Sequence, residues 1–252
     1  MRCALVGSGS AGNALLVATD TTALLVDCGY SIKAFDARAA ALDFDPRSLT
    51  AILVTHEHDD HLGGVLPLSR RYRVPVRWAR GPALAATARH GEAIEAEAFS
   101  PHASFTIGDI DVTPVAVPHD AREPTQFVFS HAGSRLGVLT DLGSVTPHVL
   151  AAYADCDALC LEFNHDLERL MRSDYPPSLR KRISGAWGHL SNAQSEQLLA
   201  NLKGPRLTRV VAAHLSERTN HPDLVAACLE RVAPELDTVI ASQDAVVPWF
   251  EV

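Results

Sequence analysis

The stretch "LVTHEHDDHLGG" at 53–64 constrains this chain more than any other. A strand-like apolar run ends at Thr55, and His56, His58, Asp60 and His61 then follow within six residues. His56 and His58 are two apart, so an extended backbone points both the same way. Imidazole nitrogens and carboxylate oxygens are the donors that zinc, manganese and iron accept in mixed sites. A solvated acidic loop seldom concentrates them so tightly, so the stretch reads as metal-binding. One loop cannot supply every ligand of two ions that keep open positions, so further donors must come from elsewhere.

Three candidates share one context. His119 follows "TPVAV", Asp141 follows "LGVL" and His214 follows "RVVAA". Each is a ligand-type residue just past an apolar strand, where open α/β sheets build their sites. Singly each is weak, since a strand-end Asp is usually a turn former; together and in this order they are specific.

The rest of the chain reads as one α/β domain over 1–252. Strands are expected in "CALVG", "NALLVAT", "TALLVDCG", "AILVTH", "FTIGDIDVTPVAV", "TQFVFSHAGSRLGVLTD" and "ALCLEF". Helices are expected over 31–43, 81–91, 192–202 and 222–232, with strands at 208–213 and 237–241. "GSGSAGN" at 7–13 precedes a strand rather than a helix, so it reads as a hairpin turn and not a phosphate loop; Ser10 and Asn13 could face a site. No window holds 18 uninterrupted apolar residues, so no membrane span is expected. Five irregularly spaced cysteines point to reduced thiols in the cytoplasm. A net charge of −8 weighs mildly against a surface coated in basic residues, yet "SRRYRVPVRWAR" and "LRKR" are local basic strips able to grip phosphates.

His-x-His-x-Asp-His followed by a strand-end His, Asp and His resembles the metallo-β-lactamase-fold hydrolases, over nearly the whole chain. The resemblance implies an αββα sandwich, two mixed sheets flanked by helices, with a site for two divalent metal ions along one edge. His56, His58 and His119 would take one ion, and Asp60, His61 and His214 the other. Asp141 would bridge them with a water or hydroxide. Zinc is the common ion, with manganese in nuclease branches.

"GSGSAGN", "LTDLG", "LEFNHD", "YPPSLRKRISGAWGHLSN" and "HLSERTN" are similar to a bacterial branch of short phosphodiesterases that includes a 5′-to-3′ DNA exonuclease. That branch is related to the tRNA 3′-processing endonuclease and the phosphonate-pathway cyclic phosphodiesterase. Only 72 residues separate Asp141 from His214, too few for the large insertion of the DNA-cross-link-repair branch. The reading is a metal-dependent phosphodiester hydrolase acting on DNA ends. A small-molecule hydrolase of cyclic phosphodiesters, lactones or thioesters is the alternative, which the negative charge fits better. A non-catalytic metal-binding protein is the remaining one, disfavoured by the complete ligand set.

His-Leu-Ser occurs twice, at 189–191 and 214–216. His214 ends a strand and reads as a ligand. His189 follows "SGAWG" and precedes a Ser191–Gln194 capping box, so it sits at a helix N-terminus that favours an anion. His189 and His165 are the candidates for proton transfer, alongside Asp60, which could orient the attacking hydroxide; a buried, hydrogen-bonded role is the alternative for both histidines. Glu162 could support them. Ser191, Arg180 and Arg182 are the candidate substrate contacts, with Tyr175 or Trp187 available to stack on a base. His90, His102, His131, His148 and His221 read as surface or structural residues.

Overall fold

A computed structural model describes residues 1–90 and 97–252. Short Val/Leu/Ile runs build two mixed sheets, each of seven strands among the described residues. The first holds β1 (Arg2–Gly7), β2 (Ala14–Ala18), β3 (Ala23–Val26), β4 (Ala51–Val54), β5 (Val76–Trp78), β6 (Glu97–Ala98) and the last strand, β14 (Val247–Glu251). Their spatial order is β14-β1-β2-β3-β4-β5-β6, antiparallel as far as β3 and parallel from β3 to β6. The second holds β7 (Phe105–Ile107), β8 (Ile110–Ala116), β9 (Thr125–His131), β10 (Ser134–Leu139), β11 (Ala158–Glu162), β12 (Arg209–Ala213) and β13 (Asp237–Ile240). They lie in reverse order, an antiparallel meander from β7 to β10 and a parallel set from β10 to β13.

The helices are α1 (Ile32–Ala41), α2 (Asp59–Leu62), α3 (Val65–Tyr72), α4 (Arg80–His90), α5 (Pro147–Tyr153), α6 (Leu167–Arg172), α7 (Pro177–Ile183), α8 (Asn192–Leu202) and α9 (Pro222–Val232). Leu5, Leu24 and Leu53 from one sheet meet Phe127, Val138 and Val211 from the other in a core between the sheets. A second cluster joins the outer face of the first sheet to α1, α3 and α4, and a third joins the second sheet to α5, α8 and α9. Strands β2, β3, β4 and β11 are therefore buried on both faces, which is why they read as unbroken apolar runs rather than alternating ones. This is the expected αββα sandwich.

The expected hairpin at 7–13 joins β1 to β2, and the capping box of α8 forms with Ser191 as N-cap. His221 proves to be the N-cap of α9, accepting from Asp223 N at 3.3 Å. Gly91, the end of the helix expected over 81–91, lies outside the described residues, as does the His90 side chain. The basic strip at 69–80 includes a strand. Its charge masked a period-two pattern, Val74, Val76 and Trp78 buried in alternation, which makes β5. β5 runs parallel to β4 with Val54 opposite Trp78. Arg70, Arg71 and Arg73 therefore precede β5 at the end opposite His56, while Arg80 follows it at the start of α4.

The C-terminal ends of β3, β4, β8, β10, β11 and β12 gather at one edge of the sandwich. They deliver Asp27, His56, His119, Asp141, Glu162 and His214 there. The turn after His61 needs glycine: Gly64 donates to the Cys28 carbonyl at 2.7 Å, and a Cβ on it would run into the Tyr30 carbonyl oxygen. Gly64→Ala is expected to cost about 3 kcal/mol through forced backbone displacement, read as a lowered midpoint in urea with an unchanged slope.

Candidate metal centre

The loop after β4 is held by Asp27, which sits in the left-handed region (φ 57°) directly after β3. Its carboxylate accepts from Thr55 N at 2.8 Å and from Thr55 Oγ1 at 2.7 Å. The Thr55 hydroxyl has thus spent its proton, so it accepts from His56 Nδ1 at 2.9 Å and leaves a lone pair on His56 Nε2. His119 Nδ1 donates to the Gly188 carbonyl at 2.9 Å, which likewise leaves a lone pair on its Nε2. Both lone pairs aim at His58 Nδ1, at 3.0 and 3.3 Å. One proton on that nitrogen could serve only one of them. Three ring nitrogens with at most one proton between them make a cation site.

The second half is built the same way. His61 Nδ1 donates to Asp27 Oδ2 at 2.8 Å, and Asn13 Nδ2 lies 3.1 Å from His61 Nε2, which identifies that nitrogen as the acceptor. His214 Nδ1 faces Glu162 Oε1 at 3.3 Å, while its Nε2 lies 3.4 Å from Asp60 Oδ2. Asp141 stands between the halves. Its Oδ1 is 3.8 Å from His119 Nε2 and 3.7 Å from His214 Nε2. Its Oδ2 is buried without a hydrogen bond although His61 Nε2 is 3.3 Å away.

An orphaned buried carboxylate oxygen facing an imidazole lone pair is costly unless a cation lies between them. The donors of His56, His58 and His119, and those of Asp60, His61 and His214, each fall within 4.8 Å of one another. The residues thus fit divalent metal ions. Charge is distributed accordingly. Burial and the neighbouring imidazoles push His56 well below the usual histidine range, and burial lowers His119, so both are neutral. Burial also opposes charge on His61 and His214. There the carboxylates win, chiefly Asp141 and Asp60, raising His61 well above its ordinary value and His214 to about 10. That half of the site demands positive charge.

Beyond the ligand cluster, Glu162 organises the proton-transfer candidates. It accepts from Leu142 N and Leu190 N, and His189 Nδ1 donates to its Oε1 at 2.7 Å. Burial opposes its ionisation, but His189 and His214 bring Glu162 down to about 2. His189, with Asp60, Asp141 and Arg182, lines a cleft of ≈ 270 Å³. Arg182 Nε donates to Asp120, whose Oδ1 is 3.5 Å from His119 Nε2.

Three candidates fall elsewhere. The Ser191 hydroxyl is buried and committed to Gln194, in the cap of α8 rather than in the cleft. The Arg180 guanidinium donates to the Met171 carbonyl. His165 is wholly buried, neither ring nitrogen has a partner, and burial lowers it to about 4, so it is a neutral interior imidazole and not a cleft residue. The turn at 7–13 contributes Ser8 rather than Ser10: Ser8 Oγ accepts from His214 N at 2.8 Å. Asp27 is the organiser that the sequence reading missed, although it carries the same strand-end signature in "TALLVDCG" as the candidate ligands.

A His/Asp cluster along the edge of an αββα sandwich defines a metallohydrolase of the metallo-β-lactamase type. A family profile described as a β-lactamase superfamily domain matches residues 22–215, and the chain belongs to that superfamily. It is similar to the exodeoxyribonuclease YycJ of Bacillus anthracis, 34% identical with 92% of this chain and 88% of that protein covered. The exodeoxyribonuclease WalJ of Streptococcus pneumoniae is 32% identical, covering 87% and 83%. Among solved structures, the metallo-β-lactamase fold protein YhfI of Bacillus subtilis superposes with a TM-score of 0.76 at 16% identity, covering 97% and 98%.

Asp27→Ala is expected to weaken metal retention roughly 10- to 100-fold, as loss of an outer partner of a ligating histidine does; metal analysis after dialysis against a graded chelator measures it. Glu162 adds a pH signature. Its folded pKa is depressed, so its contribution is present above about 4.5 and lost as pH falls toward about 2. The stability gap between wild type and Glu162→Gln should close across that window in urea titrations.

Proposed function

We propose that the chain is a metal-dependent phosphodiesterase that removes nucleotides from DNA ends. The observation that carries the reading is the Glu162–His189 pair beside Asp141 in a cleft edged by Arg182. Cleaving a phosphodiester requires charge neutralisation at phosphorus and a proton for the departing alkoxide, and the cleft presents groups for both. In support, the two exodeoxyribonuclease relatives match almost end to end.

His56, His58 and His119 would hold one ion and Asp60, His61 and His214 the other, with Asp141 shared. Zinc is the first choice for this nitrogen-rich donor set and manganese the second. Divalent ions there supply Lewis acidity and an activated water at neutral pH. The protein's own residues do the rest. Asp60 orients the attacking oxygen. Glu162 holds the His189 ring by Nδ1, so that Nε2 serves the leaving oxygen. Arg182 steadies a non-bridging phosphate oxygen once substrate competes with Asp120 for it. The five free, buried cysteines support a reducing, cytoplasmic setting.

A small phosphodiester is the second reading, favoured by the net charge of −8 and the modest cleft volume of ≈ 270 Å³. End-labelled duplex DNA and bis(p-nitrophenyl) phosphate, offered to protein reloaded with zinc or manganese, separate the two. Nucleotide release from DNA is expected, and hydrolysis of the small diester alone would sink the nuclease reading. Asp141→Ala should lower kcat by about 10³-fold or more, the loss of several kcal/mol of charge stabilisation. His189→Ala should lower kcat by roughly 10²–10⁴-fold with little change in KM.

A further inference from the structure

Beside the catalytic cleft lies a second groove, of ≈ 330 Å³, that shares Asp120 and Arg182 with it as a common wall. Lys181 and Trp187 also line it. Trp187 is 63% exposed, the most exposed large apolar side chain among the described residues. A tryptophan left in water next to an active cleft calls for an occupant. Nearby, Tyr175 is already engaged, since the Arg218 guanidinium covers its ring at 4.6 Å and is itself tied to Asp174. Of the two aromatic residues available for stacking, only Trp187 presents its ring to a groove.

The loop that carries Trp187 is held in place. Gly188 N donates to Gly185 O at 2.9 Å, and His189 N to Ile183 O at 2.8 Å. The Gly188 carbonyl accepts from His119 Nδ1. Behind the loop, Gly143, two residues after Asp141, packs so closely that a Cβ would strike the Trp187 backbone. The indole is thus one residue from the carbonyl that orients His119 and two from His189. The last turn of α7 adds Lys181 and Arg182 to the groove wall, Arg182 held there by Asp120. A flat apolar face with cations along one side complements a nucleobase joined to a phosphate.

We propose that Trp187 is a stacking platform for the nucleobase adjoining the scissile phosphate, with Lys181 and Arg182 along its backbone. This rests on the nuclease reading. It makes the preferred substrate a strand end whose base is unpaired and free to lie on the indole, because a base inside a duplex offers no open face. It also makes the enzyme tolerant of sequence, since every base has a face to stack.

Steady-state kinetics on single-stranded oligonucleotides test it. The loss of one base stack should raise KM for Trp187→Ala roughly tenfold, and Trp187→Phe should recover most of it. On an oligonucleotide whose terminal residue is abasic, the wild-type advantage over Trp187→Ala should collapse. A wild-type KM in the alanine variant, or a deficit that persists on the abasic end, overturns the proposal. A binding readout separates it from the nuclease reading. Trp78 is buried and Trp249 is tied to the Leu42 carbonyl, so Trp187 dominates solvent-exposed tryptophan emission. Phosphorothioate-capped oligothymidylate should quench that emission in the metal-loaded enzyme and not in Trp187→Phe. Quenching without cleavage of any oligonucleotide would sink the nuclease reading and keep the platform; cleavage without quenching would do the reverse.

Discussion

Two buried carboxylates, Asp27 after β3 and Glu162 at the end of β11, decide which nitrogen of each neighbouring histidine carries a proton. Asp27 acts on His61 directly and on His56 through the Thr55 hydroxyl. Glu162 acts on His189 and His214 through a single oxygen. Burying an unpaired carboxylate would be prohibitive in the apolar interior these strands create. Asp27 is instead held by the Thr55 amide and hydroxyl and by His61, and Glu162 by two backbone N–H groups and two imidazoles. The Thr55 hydroxyl directs the His56 lone pair, and Asp27 with Asn13 directs that of His61.

The same logic explains a strained residue. His214 adopts a left-handed backbone, φ 56°, that non-glycine residues seldom take. The strain turns the ring back toward Asp60 and Asp141 rather than onward along β12. It is sustained by Ser8, which accepts from the His214 amide, and by Asn164, which donates to the His214 carbonyl. Ser8 belongs to the turn between β1 and β2, so a hairpin of the first sheet shapes a donor of the second. Strain of this kind collects at functional sites because the surrounding structure over-determines it.

The ligand-type residues were legible because their local context suffices: a polar donor after an apolar run needs no knowledge of the fold. The sandwich was legible for the same reason, through runs buried on both faces. What escaped depended on direction. Ser191 and Arg180 have suitable chemistry, yet one hydroxyl turns into the helix cap and the other side chain toward Met171. His165 follows the same strand as Glu162 but faces the interior. β5 was hidden by arginines that made charge more visible than alternation. The two His-Leu-Ser copies converge in space, since both imidazoles meet on Glu162 Oε1.

The donors come from both layers of the sandwich. His56, His58, Asp60 and His61 hang from the first sheet, and His119, Asp141 and His214 from the second. Ions held by those donors would act as a clasp between layers that the chain, whose five cysteines are all free, joins with no covalent bridge. Because an ion bound to the folded state alone deepens its stability by mass action, copies that emerge from synthesis without one are the more easily opened and degraded. Metal supply in the cell would then govern how much of this protein persists as well as how fast it works.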